Sequence, residues 1–147
     1  MQTLCLTLAN ELIAGVFAEA AARGLPPLAV AVLDDGGHLK AMQRQDGLSF
    51  LRADICQAKA WGALALGIDS RALAQRYDND RQQRGFIEAL GAMTGGRVVP
   101  LPGGVLIRND GDQVIGALGV AGGPSEQDEA CAIAAIERLS LRAGAAT

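Results

Sequence analysis

Between Thr7 and Arg23 the apolar residues Leu8, Leu12, Ile13, Val16, Phe17, Ala20 and Ala21 recur at helical spacing, while Glu11, Glu19 and Arg23 lie off that stripe. The pattern predicts a helix that packs through one face, capped by Thr7 and ended by Gly24 and the Pro26-Pro27 pair. Leu28 to Leu33 is an unbroken apolar run of the kind a strand buried on both faces requires. Asp34-Asp35-Gly36-Gly37 is a turn signal, and Leu39 to Arg44 then alternates, with Leu39, Ala41 and Gln43 expected on one side and Lys40, Met42 and Arg44 on the other. A helical pattern returns from Phe50 to Gly67, with Cys56, Ala60, Ala63 and Gly67 making a face small enough to lie close against a sheet. A second helix is expected from Asp69 or Ser70, interrupted by Asp78 to Arg81, and a third from Arg84 to Met93.

The remainder reads as a second hairpin and a last helix. Val98 to Pro100 is expected as a short edge strand and Leu101 to Gly104 as a turn. Val105 to Arg108 and Val114 to Val120 are strands about the Asn109-Asp-Gly-Asp112 turn. Ser125 is placed to cap a helix running to Arg142, with Glu126, Asp128 and Glu129 at the positive end of its dipole. Hairpins separated by helices, rather than regular alternation of strand and helix, predict an α+β domain spanning residues 1–147, with an antiparallel sheet and helices on its faces.

Composition narrows the partners. Half the residues are hydrophobic, which argues against disorder, and one Trp, one Tyr and three Phe are too few for a base-stacking platform. A net charge of -3 gives no basic surface for a phosphate backbone, so nucleic acid is not expected as a partner. No apolar run is long enough for a membrane span, and the N-terminus has no secretory pattern, so the expectation is a soluble cytoplasmic chain. Cys5, Cys56 and Cys131 are isolated from one another, which indicates neither a disulfide framework nor a zinc site.

Several side chains could carry chemistry. His38, the single histidine, is a candidate ligand through its imidazole, or simply a polar residue at the start of a strand. Lys59 lies among Cys56, Ala58, Ala60 and Ala63; desolvation there would lower its pKa and favour base or Schiff-base catalysis, unless it snorkels or pairs with Asp34, Asp46 or Asp54. Arg44 is the second candidate catalytic residue. With Asp46 it could close a polar site over Lys59 for a small carboxylate, or form a surface ion pair. Gly103 and Gly104 could bring backbone amides to a ligand, or serve only as a turn.

The residues Val30-Ala-Val-Leu-Asp-Asp-Gly-Gly-His-Leu39 and Arg44-Gln-Asp46 are followed by Lys59-Ala60, Pro102-Gly-Gly-Val105, Val114-Ile-Gly-Ala-Leu-Gly-Val-Ala-Gly-Gly123 and Gln127-Asp-Glu-Ala-Cys-Ala132. In this order, over nearly the whole chain, they resemble the GlcG/HbpS-like family, which includes the C-terminal domain of PduO-type proteins. The resemblance implies a profilin-like antiparallel sheet of roughly five strands with flanking helices. It also implies assembly with itself into dimers or larger oligomers, and haem as a candidate cofactor with His38 as its candidate axial ligand. The expected function is an oligomeric small-ligand-binding protein accessory to small-molecule metabolism. The alternatives are a small isomerase, lyase or hydrolase acting on an oxo- or hydroxy-acid through Lys59 and Arg44, and a structural subunit of a metabolic complex.

Overall fold

The structure, a computed structural model, describes residues 2–145. Helix α1 (Leu6–Ala22) precedes the hairpin β1 (Ala29–Asp34) and β2 (Leu39–Arg44). Three helices follow, α2 (Leu51–Leu66), α3 (Ser70–Asn79) and α4 (Arg81–Met93), then the hairpin β3 (Gly104–Arg108) and β4 (Val114–Ala121), helix α5 (Ser125–Arg138) and the short β5 (Arg142–Ala143). The strands form one antiparallel sheet in the order β2-β1-β4-β3-β5, so β1 and β4 are its centre. The α+β class and the antiparallel sheet are therefore as the hairpin pattern predicts.

The two faces of the sheet differ in side-chain size. Val30, Val32, Val105, Ile107, Leu118 and Val120 face α1 and α5 and bury the main apolar cluster with Leu12, Ile13, Val16 and Ile136. On the other face Ala29, Ala31, Ala117 and Ala121 meet α2 through Cys56, Ala60 and Ala63. Small residues on both partners let α2 lie almost on the backbone of the sheet. A Cβ at Gly119 would come within 1.9 Å of the Cys56 carbonyl oxygen, and one at Gly104 within 2.1 Å of that of Lys59. This close approach fixes where Lys59 can reach.

Five local expectations change. Thr7 lies inside α1, whose N-cap is Cys5, and Ser125 is the first residue of α5 after Pro124. Val98 to Pro100 forms no strand; Val98 packs with Leu73 and Ile87, and a proline there lacks the N–H a ladder needs. The edge beside β3 is taken instead by β5, because α5 stops at Arg138 and Ser140 turns the chain at φ 61°. Finally, the β1–β2 register shifts between Val32 and Leu33, so Leu33 faces Leu39 while Val32 faces Ala41. The bulge breaks the simple alternation of β2 and puts Leu39 beside Leu33.

Candidate functional site

The β1–β2 turn is built around the Asp34 carboxylate. Its Oδ1 accepts from the backbone N–H of Gly36 and of His38, each at 3.0 Å, while the Asp34 carbonyl accepts from Gly37 at 3.0 Å. Gly37 sits at φ 81°, a conformation glycine adopts without the Cβ penalty. The His38 imidazole folds back so that Nδ1 lies 3.4 Å from the same Oδ1, yet its side chain is 82% exposed. The backbone N–H of His38 does most to hold the Asp34 carboxyl below the usual range; partial burial opposes this, and the Gly36 N–H and the imidazole add to it. This turn orients one ring nitrogen of His38 and leaves the other free.

Lys59 is placed quite differently. It leaves α2 toward the far end of the sheet, 2% exposed, where Nζ donates to the Val120 carbonyl at 2.9 Å and lies 3.4 Å from Asp128 Oδ2. Asp128 Oδ1 accepts from the Gly123 N–H at 3.1 Å, so the carboxylate ties α2, the end of β4 and the first turn of α5 together. Burial chiefly lowers the Lys59 pKa, opposed by Asp128, and burial chiefly raises that of Asp128, opposed by Lys59. The desolvation expected at Lys59 is present, but its partner is Asp128 and not Asp34, Asp46 or Asp54. Gly103 and Gly104 lie beside Lys59; a Cβ at Gly103 would come within 2.9 Å of Nζ. They pack against it closely, and the Gly104 N–H donates to Ser70 Oγ at 2.7 Å.

Arg44 and Asp46 do not join this cluster. The Arg44 guanidinium donates to the Leu48 carbonyl at 2.7 Å, and both residues border a groove with Phe17, Leu25 and Pro27 near α1. Among the described residues no ion pair joins Arg44 to Asp46 or to any other carboxylate, so the alternative of a surface pair between them is not formed either. The predicted residues thus separate into an exposed His38, a groove with Arg44 and Asp46, and a sealed Lys59 with Gly103 and Gly104. Cys56 donates to the Ala53 carbonyl and burial pushes its thiol up to about 12, which keeps it unreactive.

Two features escape the sequence pattern. Asp128 and Glu129 read as helix-dipole charges, whereas Asp128 is turned inward and Glu129 accepts from Arg71 Nε at 2.8 and 2.9 Å. The Arg97 guanidinium stacks on the Trp61 ring, 4.2 Å from its centroid. No spacing rule connects residues this far apart. A basic residue after the Gly95-Gly96 turn is the local hint of the second. Among the described residues no three His, Cys, Asp or Glu side chains gather as a metal site, and no helix is long and apolar enough to cross a membrane.

Comparison with known proteins agrees with the fold and the resemblance. The family model described as "Haem degrading protein HbpS-like" matches residues 4–137. The chain is 30% identical over 138 residues to an uncharacterized 15.0 kDa protein from the dhaT-dhaS intergenic region of Citrobacter freundii, covering 94% of this chain and 93% of that one. It is 35% identical over 94 residues to protein GlcG of Escherichia coli K12, a match covering 64% of this chain and 63% of GlcG. The crystal structure of Klebsiella pneumoniae protein ORFY superposes with a TM-score of 0.84 at 29% identity, covering 95% of this chain and 92% of that one. A complex of PduOC with haem has the same fold, with a TM-score of 0.83 at 24% identity over 95% of this chain and 97% of that one.

Proposed function

The chain belongs to the HbpS-like family, and from that premise we propose that it is a haem-binding protein whose iron ligand is His38. The observation that carries the reading is the Asp34–His38 arrangement: a carboxylate 3.4 Å from Nδ1 and a ring that is 82% exposed. Metal-ligating histidines characteristically direct one ring nitrogen at a carboxylate, which fixes the ring and raises its basicity at the other. Histidine is also an ordinary axial donor to haem iron. The donor set therefore fits the group. Bound haem would supply one-electron and oxygen chemistry at its iron; Asp34 and His38 supply orientation and ligation.

An imidazole this exposed encloses little of a porphyrin by itself. Leu39, half exposed beside it, adds apolar contact, and the remaining cover comes from a second copy of the chain. This reading makes the protein a homo-oligomeric, cytoplasmic small-ligand carrier. Titrating purified protein with hemin tests it: a saturable Soret shift is expected, lost in His38→Ala, together with a change in oligomer size on binding. A Soret response that is absent, or identical in His38→Ala, would overturn ligation at this turn. Catalysis by Lys59 and Arg44 gains no support from the geometry, because the ammonium is buried and engaged and the guanidinium lies in another groove.

A further inference from the structure

Behind the same turn, between α2 and the segment that follows α4, lies a cavity of about 430 Å³ that His38 does not line. Its volume is at the small end for ligand pockets, suited to a metabolite and too small to enclose a porphyrin. The floor is apolar, made by Leu33, Leu39, Ala58 and Trp61. The bulge in β2 is what turns Leu39 into this floor.

Two kinds of polar group border the floor. Arg97 is fixed by stacking on Trp61 and by donation from Nε to the Thr94 carbonyl at 2.8 Å, yet among the described residues no carboxylate pairs with it. A guanidinium so held presents its remaining donors to a carboxylate at little further ordering cost. Toward the start of α2 the lining side chains are Asp54 and Gln57. Gln57 commits one of its two amide N–H groups to the Ala53 carbonyl at 3.1 Å, and its oxygen remains an acceptor for the cavity. The Asp54 carboxylate and the Gln57 oxygen accept from a hydroxyl or ammonium, and the charge of Asp54 repels a second carboxylate. Gln57 and Asp54 precede Trp61 by one and two helical turns, about 6 and 10 Å along the axis.

From this we infer that the cavity is a binding site for a small monocarboxylate, with its carboxylate on Arg97, an apolar spacer over Trp61 and a hydrogen-bond donor at its other end on Gln57 and Asp54. The site shares only Leu39 with the haem reading; its polar groups, Arg97, Asp54 and Gln57, are separate from Asp34 and His38. Trp61 is the single tryptophan in the chain, so its fluorescence reports the cavity directly. The test titrates haem-free protein with omega-hydroxyhexanoate, adipate and hexanediol, which share a spacer and differ only in their ends. Omega-hydroxyhexanoate should give a saturable change, roughly tenfold tighter than either of the others, as a charge-assisted contact implies. Arg97→Gln should weaken it about tenfold, Asp54→Asn should let adipate bind more tightly, and His38→Ala should change nothing. The inference is overturned if omega-hydroxyhexanoate gives no saturable change, if adipate or hexanediol binds as tightly, if Arg97→Gln leaves affinity intact, or if Asp54→Asn leaves adipate excluded. Because the His38 variant separates the two sites, failure here leaves the Soret experiment standing, and the reverse holds.

Discussion

At one end of the sheet Lys59 and Asp128 are 2% and 1% exposed, and their polar atoms are engaged by each other and by backbone groups of Val120 and Gly123. At the other end His38 is 82% exposed, and Arg97 stacks on Trp61 without a carboxylate partner among the described residues. Both ends hold charged or titratable groups on the same helix-and-sheet frame, but the first uses them up in holding segments together while the second keeps donors available. The difference teaches that a perturbed lysine is not by itself a sign of catalysis. Desolvation shifts Lys59 just as it would an active-site base, yet what surrounds it is packed protein. The stability of the fold should therefore be concentrated at the sealed end and ligand affinity at the open one.

The largest effects are expected at the sealed end, and the first is at the contact between β4 and α2. A Cβ at Gly119 would stand 1.9 Å from the Cys56 carbonyl oxygen and 3.0 Å from the Ala60 Cβ, so Gly119→Ala must displace α2 bodily. A loss of about 3 kcal/mol or more is expected, read as a fall in the urea midpoint. A midpoint within experimental error of the parent would mean that α2 has room to move.

Next comes the buried pair. Lys59→Met leaves the Asp128 carboxylate without its cation and should cost about 3 to 5 kcal/mol, whereas Lys59→Met with Asp128→Asn keeps the acceptor for the Gly123 N–H and should recover most of that loss. The pH dependence follows from the directions of the shifts. Asp128 has a raised folded pKa, so its contribution is present below the ordinary value of 3.8 and is lost as pH rises through the raised one. Lys59 has a lowered folded pKa, so its contribution is present above 10.5 and is lost as pH falls through the lowered one. Between these windows neither contribution operates. The double variant should compare best with the parent near neutral pH and lose ground in acid and in strong base. A stability difference that does not vary with pH would refute the assignment.

At the open end the same kind of deletion should cost less stability and more affinity. Asp34→Ala removes the acceptor for the Gly36 and His38 N–H groups, worth about 1 kcal/mol for exposed turn bonds. The folded pKa of Asp34 is lowered, so its contribution holds above 3.8 and fades as pH falls through the lower folded value. Hemin affinity should drop roughly tenfold because His38 loses the carboxylate that orients its ring. Wild-type affinity with a lost turn would detach Asp34 from ligand binding.

Much of the fold was legible because its signals are local. The valine-rich run from Leu28 to Leu33, the Asp-Gly turns and the small face of α2 each depend on neighbours within a few residues, and the hairpins and the close helix–sheet contact follow from them. The exceptions are local signals overruled by packing. Val98 is apolar enough for a strand but is drawn to Leu73 and Ile87, and β5 arises where a helical pattern ran on. Site geometry was less legible. That Lys59 is desolvated could be read from its helical neighbours, but its carboxylate belongs to a segment 69 residues later, and the Arg97–Trp61 stack joins two elements with no shared periodicity. Pairings of that kind are set by how the layers close, which periodicity does not encode.

The smallest stability effect belongs to the substitution that tests the open end most narrowly. Gly36 is not in a left-handed conformation, so alanine there brings no backbone strain. Its Cβ would, however, lie 2.9 Å from His38 Nδ1 and 3.0 Å from Cε1, so the imidazole must swing off the Asp34 carboxylate. A ring that is 82% exposed can do so freely, and stability should stay within about 0.5 kcal/mol of the parent. Hemin affinity should nevertheless fall about as far as in Asp34→Ala, since both changes undo the same Nδ1 contact by different means. If Gly36→Ala bound hemin like the parent while His38→Ala did not, the imidazole would ligate without orientation by Asp34, and the contrast between a preorganised open end and a sealed one would rest on Arg97 alone.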